Sequence, residues 1–300
     1  MSKIEPRPSS TPDIWTIARL LHWSSDYLGA RQIDSPRTTA EVLLAHALGR
    51  KRIELYTHFD KPLETDELQR FKGLIKRRTA REPLAYITGV KEFWSYELAI
   101  TQDVLIPRPE TESLVEQTLA TLDHSYKNRP LRVLDLGTGC GAIVVALACQ
   151  RPQHIYVATD IDEAALATAR RNVHQCPAGA NVQFVCSDWL AGFRPAAGFD
   201  LIVSNPPYIR STEIVHLQPE IHRYEPQHAL DGGRDGLDAY RTIIDQAPSR
   251  LAPGGQLLFE IGFDQAVLVR KIAERQKHFS QMTVYPDYRG KDRILKLEGE

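Results

Sequence analysis

The chain has 300 residues, 42% hydrophobic and 25% charged, the balance of a folded soluble protein with room for one large and one small domain, which excludes a disordered chain. Its 37 Lys plus Arg against 38 Asp plus Glu give a formal net charge of −1, without the positive excess of a protein that grips long stretches of nucleic acid. The opening MSKIEPRPSSTPDIW lacks the apolar stretch of a secretory signal, and no run nears the ~18 apolar residues of a membrane helix, so a cytoplasmic chain with no membrane partner is expected.

Residues from about 11 to 80 read as helices. Thr11-Pro12 and Ser35-Pro36 each place an N-cap candidate before a proline suited to the first helical turn. Thr38 to Leu48 keeps Val42, Leu43, Ala45, His46 and Ala47 in one helical band, and Gly49 is a natural C-cap. A third helix is expected from Asp66 to about Thr79, and the basic run Lys72 to Arg81 reads as a solvated helix face. Residues 1–82 are therefore taken as a small helical N-terminal domain. Over residues 83–106 the pattern changes: Tyr86-Ile87-Thr88 and Phe93 to Ile100 are rich in aromatic and β-branched residues around Gly89, which predicts a β-hairpin linker.

Residues 107–300 form the third segment. Its strands are expected at Leu131–Asp135, Ile155–Thr159, Val182–Cys186, Phe199–Ser204, Gln256–Ile261, Met282–Tyr285 and Arg293–Leu297. Helices at Ala142–Cys149 and from Glu163 to about His174 alternate with them, which predicts an α/β fold with a mainly parallel, doubly wound, Rossmann-like sheet. The four cysteines, Cys140, Cys149, Cys176 and Cys186, make no C-x-x-C pair, and the histidines fall in no ligand pattern. Free thiols and no metal are expected.

The turn after the first of these strands is glycine-rich. In Val133 to Ala142 (VLDLGTGCGA), Gly137, Gly139 and Gly141 let the backbone turn tightly and approach a ligand closely. Asp160 ends the next strand about twenty residues on, where an acid accepts hydrogen bonds from two ribose hydroxyls, and it also suits a helix N-cap. A dinucleotide site favours G-x-G-x-x-G, whereas this spacing is G-x-G-x-G with Ile143 and Val144 beyond it, which leans towards S-adenosylmethionine. Asp188-Trp189, after the third strand, suits the adenine edge and face.

Asn205-Pro206-Pro207-Tyr208 follows the fourth strand directly, beyond the carboxyl ends where open α/β sheets bind ligands. The nitrogen of an amide or ring amine is a poor nucleophile because its lone pair is delocalised. The Asn205 carboxamide oxygen and the Pro206 carbonyl can accept both of its N–H hydrogens and favour the positive charge that methylation develops. Tyr208 offers a flat face for a planar group, and the two prolines stiffen the loop.

These residues, with Pro83 to Gly89, Phe93-Trp94, Val104 to Glu112 (VLIPRPETE) and the stretches from Glu225-Pro226 to Asp235-Gly236-Leu237-Asp238, resemble the bacterial release factor glutamine methyltransferase family along the whole chain. The resemblance implies a class I S-adenosylmethionine-dependent methyltransferase fold with a seven-stranded sheet, and an N-terminal domain that helps grip the release factor. It implies methyl transfer to the side-chain amide of the glutamine in the GGQ motif of class I peptide chain release factors. Gly137, Thr138, Gly139, Cys140, Gly141, Asp160, Trp189 and Asn205 are then the cofactor residues, with Cys140 a backbone contact. Asn205, Pro206, Pro207 and Tyr208 are the substrate residues, and Asn205, Pro206 and Tyr208 the catalytic ones. A glutamine methyltransferase of a large-subunit ribosomal protein is the nearest alternative, and a DNA or RNA amino-methyltransferase the next. Arg108 and Glu110 either close over the cofactor site or pair with each other at the domain junction, and pairing is expected. Ile209 to Arg234 suits a mobile loop over the substrate. Gly254-Gly255-Gln256 reads as a turn before a strand.

Overall fold

A computed structural model of the chain describes residues 14–125, 129–174, 176 and 181–299. The chain divides once, into Met1–Thr88 and Gly89–Glu300. The cap expected at Thr11 lies outside the described residues. Helix α1 (Ile17–Gly29) is capped instead by Thr16, whose hydroxyl accepts from the Arg19 N–H at 3.3 Å. Helix α2 (Pro36–Leu48) opens on Pro36 after a left-handed Ser35 and closes on a left-handed Gly49. The short α3 (Arg52–Thr57) was not anticipated; Glu54 closes its first turn by accepting from the Lys51 N–H at 2.7 Å. Helix α4 (Thr65–Thr79) carries Asp66 and Glu67 in its first turn and Lys76, Arg77 and Arg78 in its last, which suits the helix dipole.

The basic run is not simply solvated. Arg78 is buried with its guanidinium donating to the Glu82 carbonyl at 3.1 Å, and Arg77 pairs with the Glu82 carboxylate at 2.5 Å. Tyr86-Ile87-Thr88 are helical, not extended: they belong to α5 (Leu84–Thr88), and Ile87 joins the helical core with Leu43, Leu44, Phe71 and Ile75. Burial against α2 and α4 overrides the strand preference of these side chains.

The hairpin lies wholly in the second unit, with β1 (Val90–Phe93) antiparallel to β2 (Tyr96–Ala99). Trp94 and Ser95 both take positive φ in its two-residue turn, a geometry that asparagine and glycine usually fill. The Glu112 carboxylate holds this turn by accepting from the Trp94 N–H at 3.0 Å.

Seven strands follow: β3 (Arg132–Leu136), β4 (Ile155–Asp160), β5 (Val182–Cys186), β6 (Phe199–Ser204), β7 (Leu251–Glu260), β8 (Phe279–Pro286) and β9 (Asp292–Gly299). Their order is β5-β4-β3-β6-β7-β9-β8, with β5 to β7 parallel and β9 antiparallel to both its neighbours. Gly254, Gly255 and Gln256 lie inside β7, at the register shift of its pairing with β6, rather than ahead of a strand. Helices α6 (Glu112–Ser125), α7 (Ala142–Gln150) and α8 (Glu163–Val173) pack in sequence beside one another. On the other side, α10 (Asp238–Gln246) and α11 (Ala266–Glu274), which follow the short α9 (Pro219–Tyr224), bury Tyr240, Ile243, Ile244 and Val269 against Leu134, Ile202, Leu257 and Leu295. Chain order reverses between β3 and β6, so the turns after these two strands flank the crevice where such sheets bind ligands.

Cys149 and Cys176 are joined in a disulfide across 27 residues, where free thiols were expected; Cys140 and Cys186 are free. Cys149 sits in the last turn of α7 and Cys176 just beyond the end of α8, with β4 and α8 between them, a proximity that sequence spacing alone does not announce.

The segment from Ile209 to Asp238 is an excursion with pinned ends. The Ile209 N–H donates to the Leu230 carbonyl at 3.1 Å, and the Gly232 N–H to the Ile209 carbonyl at 2.8 Å. The Gln265 amide donates to the carbonyls of Tyr208 at 2.9 Å and Gly236 at 3.2 Å. Gly236 has φ of +78°, and a Cβ there would sit 2.4 Å from the Tyr208 carbonyl oxygen. Gly236→Ala is therefore expected to lower unfolding free energy by about 1–3 kcal/mol. A urea midpoint equal to that of the parent would show that this packing is not needed.

Candidate active site

The glycine turn after β3 is held by its own acids. The Thr138 hydroxyl donates to Asp135 at 2.6 Å, and its N–H to the Thr159 carbonyl at 2.8 Å. Burial raises the Asp135 carboxyl to about 7, against the Thr138 hydrogen bond and with Asp160 nearby. Gly141, with φ of +83°, starts α7, and a Cβ on it would meet Ala169 of α8 at 3.1 Å. It thus supplies the close packing that a dinucleotide fingerprint takes from its last glycine.

Asp160 stands at the end of β4. One carboxylate oxygen accepts from the Gly139 N–H at 2.9 Å and the other from the Asp162 N–H at 3.0 Å. The helix cap falls to Asp162, which accepts from Ala164 at 2.8 Å, so Asp160 keeps a lone pair on each oxygen for a ligand. Ser187 orders the next turn: its N–H donates to the Asp160 carbonyl at 2.9 Å, and its hydroxyl to the Trp189 carbonyl at 3.0 Å. Trp189 takes φ of +46° there.

A cavity of about 310 Å³ lies over these turns, lined by Gly137, Gly139, Asp160, Asp188, Trp189, Asn205 and Pro207. Thr138, Cys140 and Gly141 do not line it. Cys140 is buried, its thiol pushed up to about 12 by burial, and its carbonyl accepts from Asn172 at 2.8 Å. Such a thiol is unreactive at neutral pH. Sequence reasoning missed Leu105 and Ile161, which also line the cavity. Ile161 is 61% exposed and directly follows the predicted acid, an apolar residue at a strand end that was a usable signal.

A second cavity, of about 180 Å³, is lined by Asn205, Pro206, Pro207 and Tyr208 with Leu105 and Arg108. Asn205 and Pro207 border both spaces. Ser204, buried, ties the end of β6 to β3 by donating to the Leu136 carbonyl at 2.8 Å. The Asn205 amide nitrogen donates to the Thr111 hydroxyl at 3.1 Å. Tyr208 is raised to about 12 by burial and by the neighbouring Glu260, so its phenol keeps its proton.

Arg108 and Glu110 do not pair with each other. Arg108 holds Glu225 at 2.6 Å, and Glu225 also accepts from the Ile106 N–H at 3.1 Å. Burial raises the Glu225 carboxyl despite Arg108. Glu110 lies 3.9 Å from Arg289. The Arg108–Glu225 pair joins residues 117 apart, which no local pattern discloses.

Residues 19–89 match the PrmC N-terminal domain family, and residues 114–223 the methyltransferase small domain family. The chain is 43% identical to a protein of Geobacter sulfurreducens named Release factor glutamine methyltransferase, over 95% of this chain and 97% of that one. Proteins of the same name in Rhodopirellula baltica and Burkholderia pseudomallei are 38% and 44% identical, over 95% and 84% of this chain and 96% and 87% of theirs. Among solved structures, the hMettl16 catalytic domain in complex with a MAT2A 3′UTR hairpin superposes with a TM-score of 0.55 at 18% identity, over 74% of this chain and 81% of that one. That likeness shows the fold alone.

Proposed function

The chain belongs to the family of release factor glutamine methyltransferases, and on that premise we propose that it transfers a methyl group from S-adenosylmethionine to the side-chain amide nitrogen of the GGQ glutamine in class I peptide chain release factors. The observation that carries the proposal is the place of Asn205, whose carboxamide stands at the common wall of a larger and a smaller cavity. The relatives' shared name does not favour the ribosomal-protein alternative.

The larger cavity suits the methyl donor. Asp160 offers an acceptor lone pair on each oxygen to a ribose, Trp189 an aromatic wall to an adenine, and Gly137 and Gly139 bare backbone between them. S-adenosylmethionine bound there supplies an electrophilic methyl group on a sulfonium. The smaller cavity suits a glutamine side chain, with the Tyr208 ring against the amide plane and Leu105 against its methylenes.

In this reading the Asn205 Oδ1 and the Pro206 carbonyl accept the two N–H hydrogens of the substrate amide. They hold its nitrogen facing the larger cavity and stabilise positive charge as it develops there. No strong base is required, because the nitrogen becomes acidic once it carries a fourth substituent. Arg108, bound to Glu225, borders the small cavity with its charge already matched.

The test is separate incubation with labelled S-adenosylmethionine of a release factor, a variant with the GGQ glutamine replaced by alanine, ribosomal protein and DNA. Label is expected in the release factor and absent from the variant. Label in the variant, or only in ribosomal protein or DNA, overturns the assignment.

A further inference from the structure

The Asn205 carboxamide has two ends, and only one of them is useful to an amide substrate. If the NH2 faced the substrate nitrogen, donor would meet donor. What fixes the orientation lies behind the loop, in two residues from separate parts of the second unit.

Glu260, the last residue of β7, is fully buried. Its carboxylate accepts from the Thr111 hydroxyl at 2.7 Å and, in a longer contact, from the Tyr208 phenol at 3.5 Å. The Thr111 hydroxyl in turn accepts from the Asn205 Nδ2 at 3.1 Å. A carboxylate has no hydrogen to give. The one hydroxyl hydrogen of Thr111 is therefore committed to Glu260, and only a lone pair of Thr111 remains for Asn205. The NH2 alone can meet that lone pair, so Oδ1 is turned away from Thr111.

We propose that Glu260 is a positioning residue: acting through Thr111, it sets the polarity of the Asn205 carboxamide so that Oδ1 is presented to the substrate amide. This rests on the amide-holding role of Asn205 given above. A neutral group at position 260 breaks the one-way chain, because it can donate to Thr111. Thr111 can then donate to Asn205, and the carboxamide is free to turn its NH2 to the substrate.

The groups around Glu260 place its titration in the working range. Burial raises it to about 7; Thr111 and Arg293 of β9 oppose that rise, Glu110 of the turn before α6 adds to it, and Tyr208 opposes it slightly. Arg293 is itself engaged with Asp287 at 3.4 Å and with the Ile261 carbonyl at 3.2 Å. The Tyr240 phenol of α10 donates to the Glu260 carbonyl oxygen at 2.9 Å and stays neutral. Turnover should therefore be present above about 7 and fall as pH drops through it, since protonation removes the acceptor-only end of the chain.

The experiment measures kcat against pH, and cofactor affinity by calorimetry, for the parent, Glu260→Gln, Thr111→Val, Thr111→Ser and Asn205→Ala. Glu260→Gln and Thr111→Val should lose about 10–100-fold in kcat, as happens when outer hydrogen-bond partners of metal ligands are removed. Both should lose the acid limb and bind the cofactor as the parent does. Thr111→Ser, which keeps the hydroxyl, should restore both rate and limb. Glu260→Gln within twofold of the parent with the limb intact overturns the proposal. If Glu260→Gln does not fold, equal rates for Thr111→Val and Thr111→Ser overturn it instead. A fully active Asn205→Ala would sink the underlying mechanism; an inactive one beside an unaffected Glu260→Gln would sink only the positioning role.

Discussion

Asn205→Ala is expected to lower kcat by about 10²–10³-fold, the loss seen when one preorganised charge-stabilising contact is removed from an active site. The substitution deletes the acceptor proposed for the substrate amide and leaves the Thr111 hydroxyl without its donor. It also removes part of the shared wall between cavities of about 310 and 180 Å³, so the amide nitrogen is no longer held in line. Cofactor binding should persist, because Asp160, Trp189 and the glycine backbone are untouched. Transfer of labelled methyl and calorimetric titration of the cofactor separate the two effects. Turnover near that of the parent would remove Asn205 from the mechanism. Asn205→Asp should be no rescue: it has no NH2 for Thr111 and sets a second carboxylate close behind Glu260.

Asp160→Ala should act on the other partner, raising the cofactor dissociation constant by about 10²–10⁴-fold if two charge-assisted hydrogen bonds of about 1.5–3 kcal/mol each are lost. Part of that loss is indirect. The Gly139 and Asp162 N–H groups, held at 2.9 and 3.0 Å, would be left without their acceptor and the glycine turn would loosen. Asp160→Asn, which keeps an acceptor oxygen, should fall between. Calorimetry giving an unchanged dissociation constant for Asp160→Ala would move the ribose elsewhere in the cavity.

The features legible in the sequence are those that repeat locally. Phe199–Ser204 and Val182–Cys186 were readable to their ends because short apolar runs are bounded there by turn residues. The turn at Gly137 and the loop at Asn205 were readable because each directly follows such a strand. Tyr86-Ile87-Thr88 misled because their composition suits a strand while their neighbours in space are helices. The Asp160 cap misled by two residues, since Asp162 has the same side chain. The pairing of Thr111 with Glu260 left no trace, because the two meet only in three dimensions, 149 residues apart. The same holds for Arg108 with Glu225 and for Cys149 with Cys176. Periodicity finds elements, and short motifs find turns; pairings between distant turns require the fold.

One feature of the site bears on inhibitor design. Because Leu105, Asn205, Pro207 and Ala229 border both cavities, two small fragments, one seated on each side, would grow towards the same wall. A linker between them needs only to pass the Asn205 carboxamide and mimic the planar amide that it holds. Selectivity over other enzymes of this fold would then come from the smaller side, where Arg108 shapes the wall, rather than from the nucleoside side.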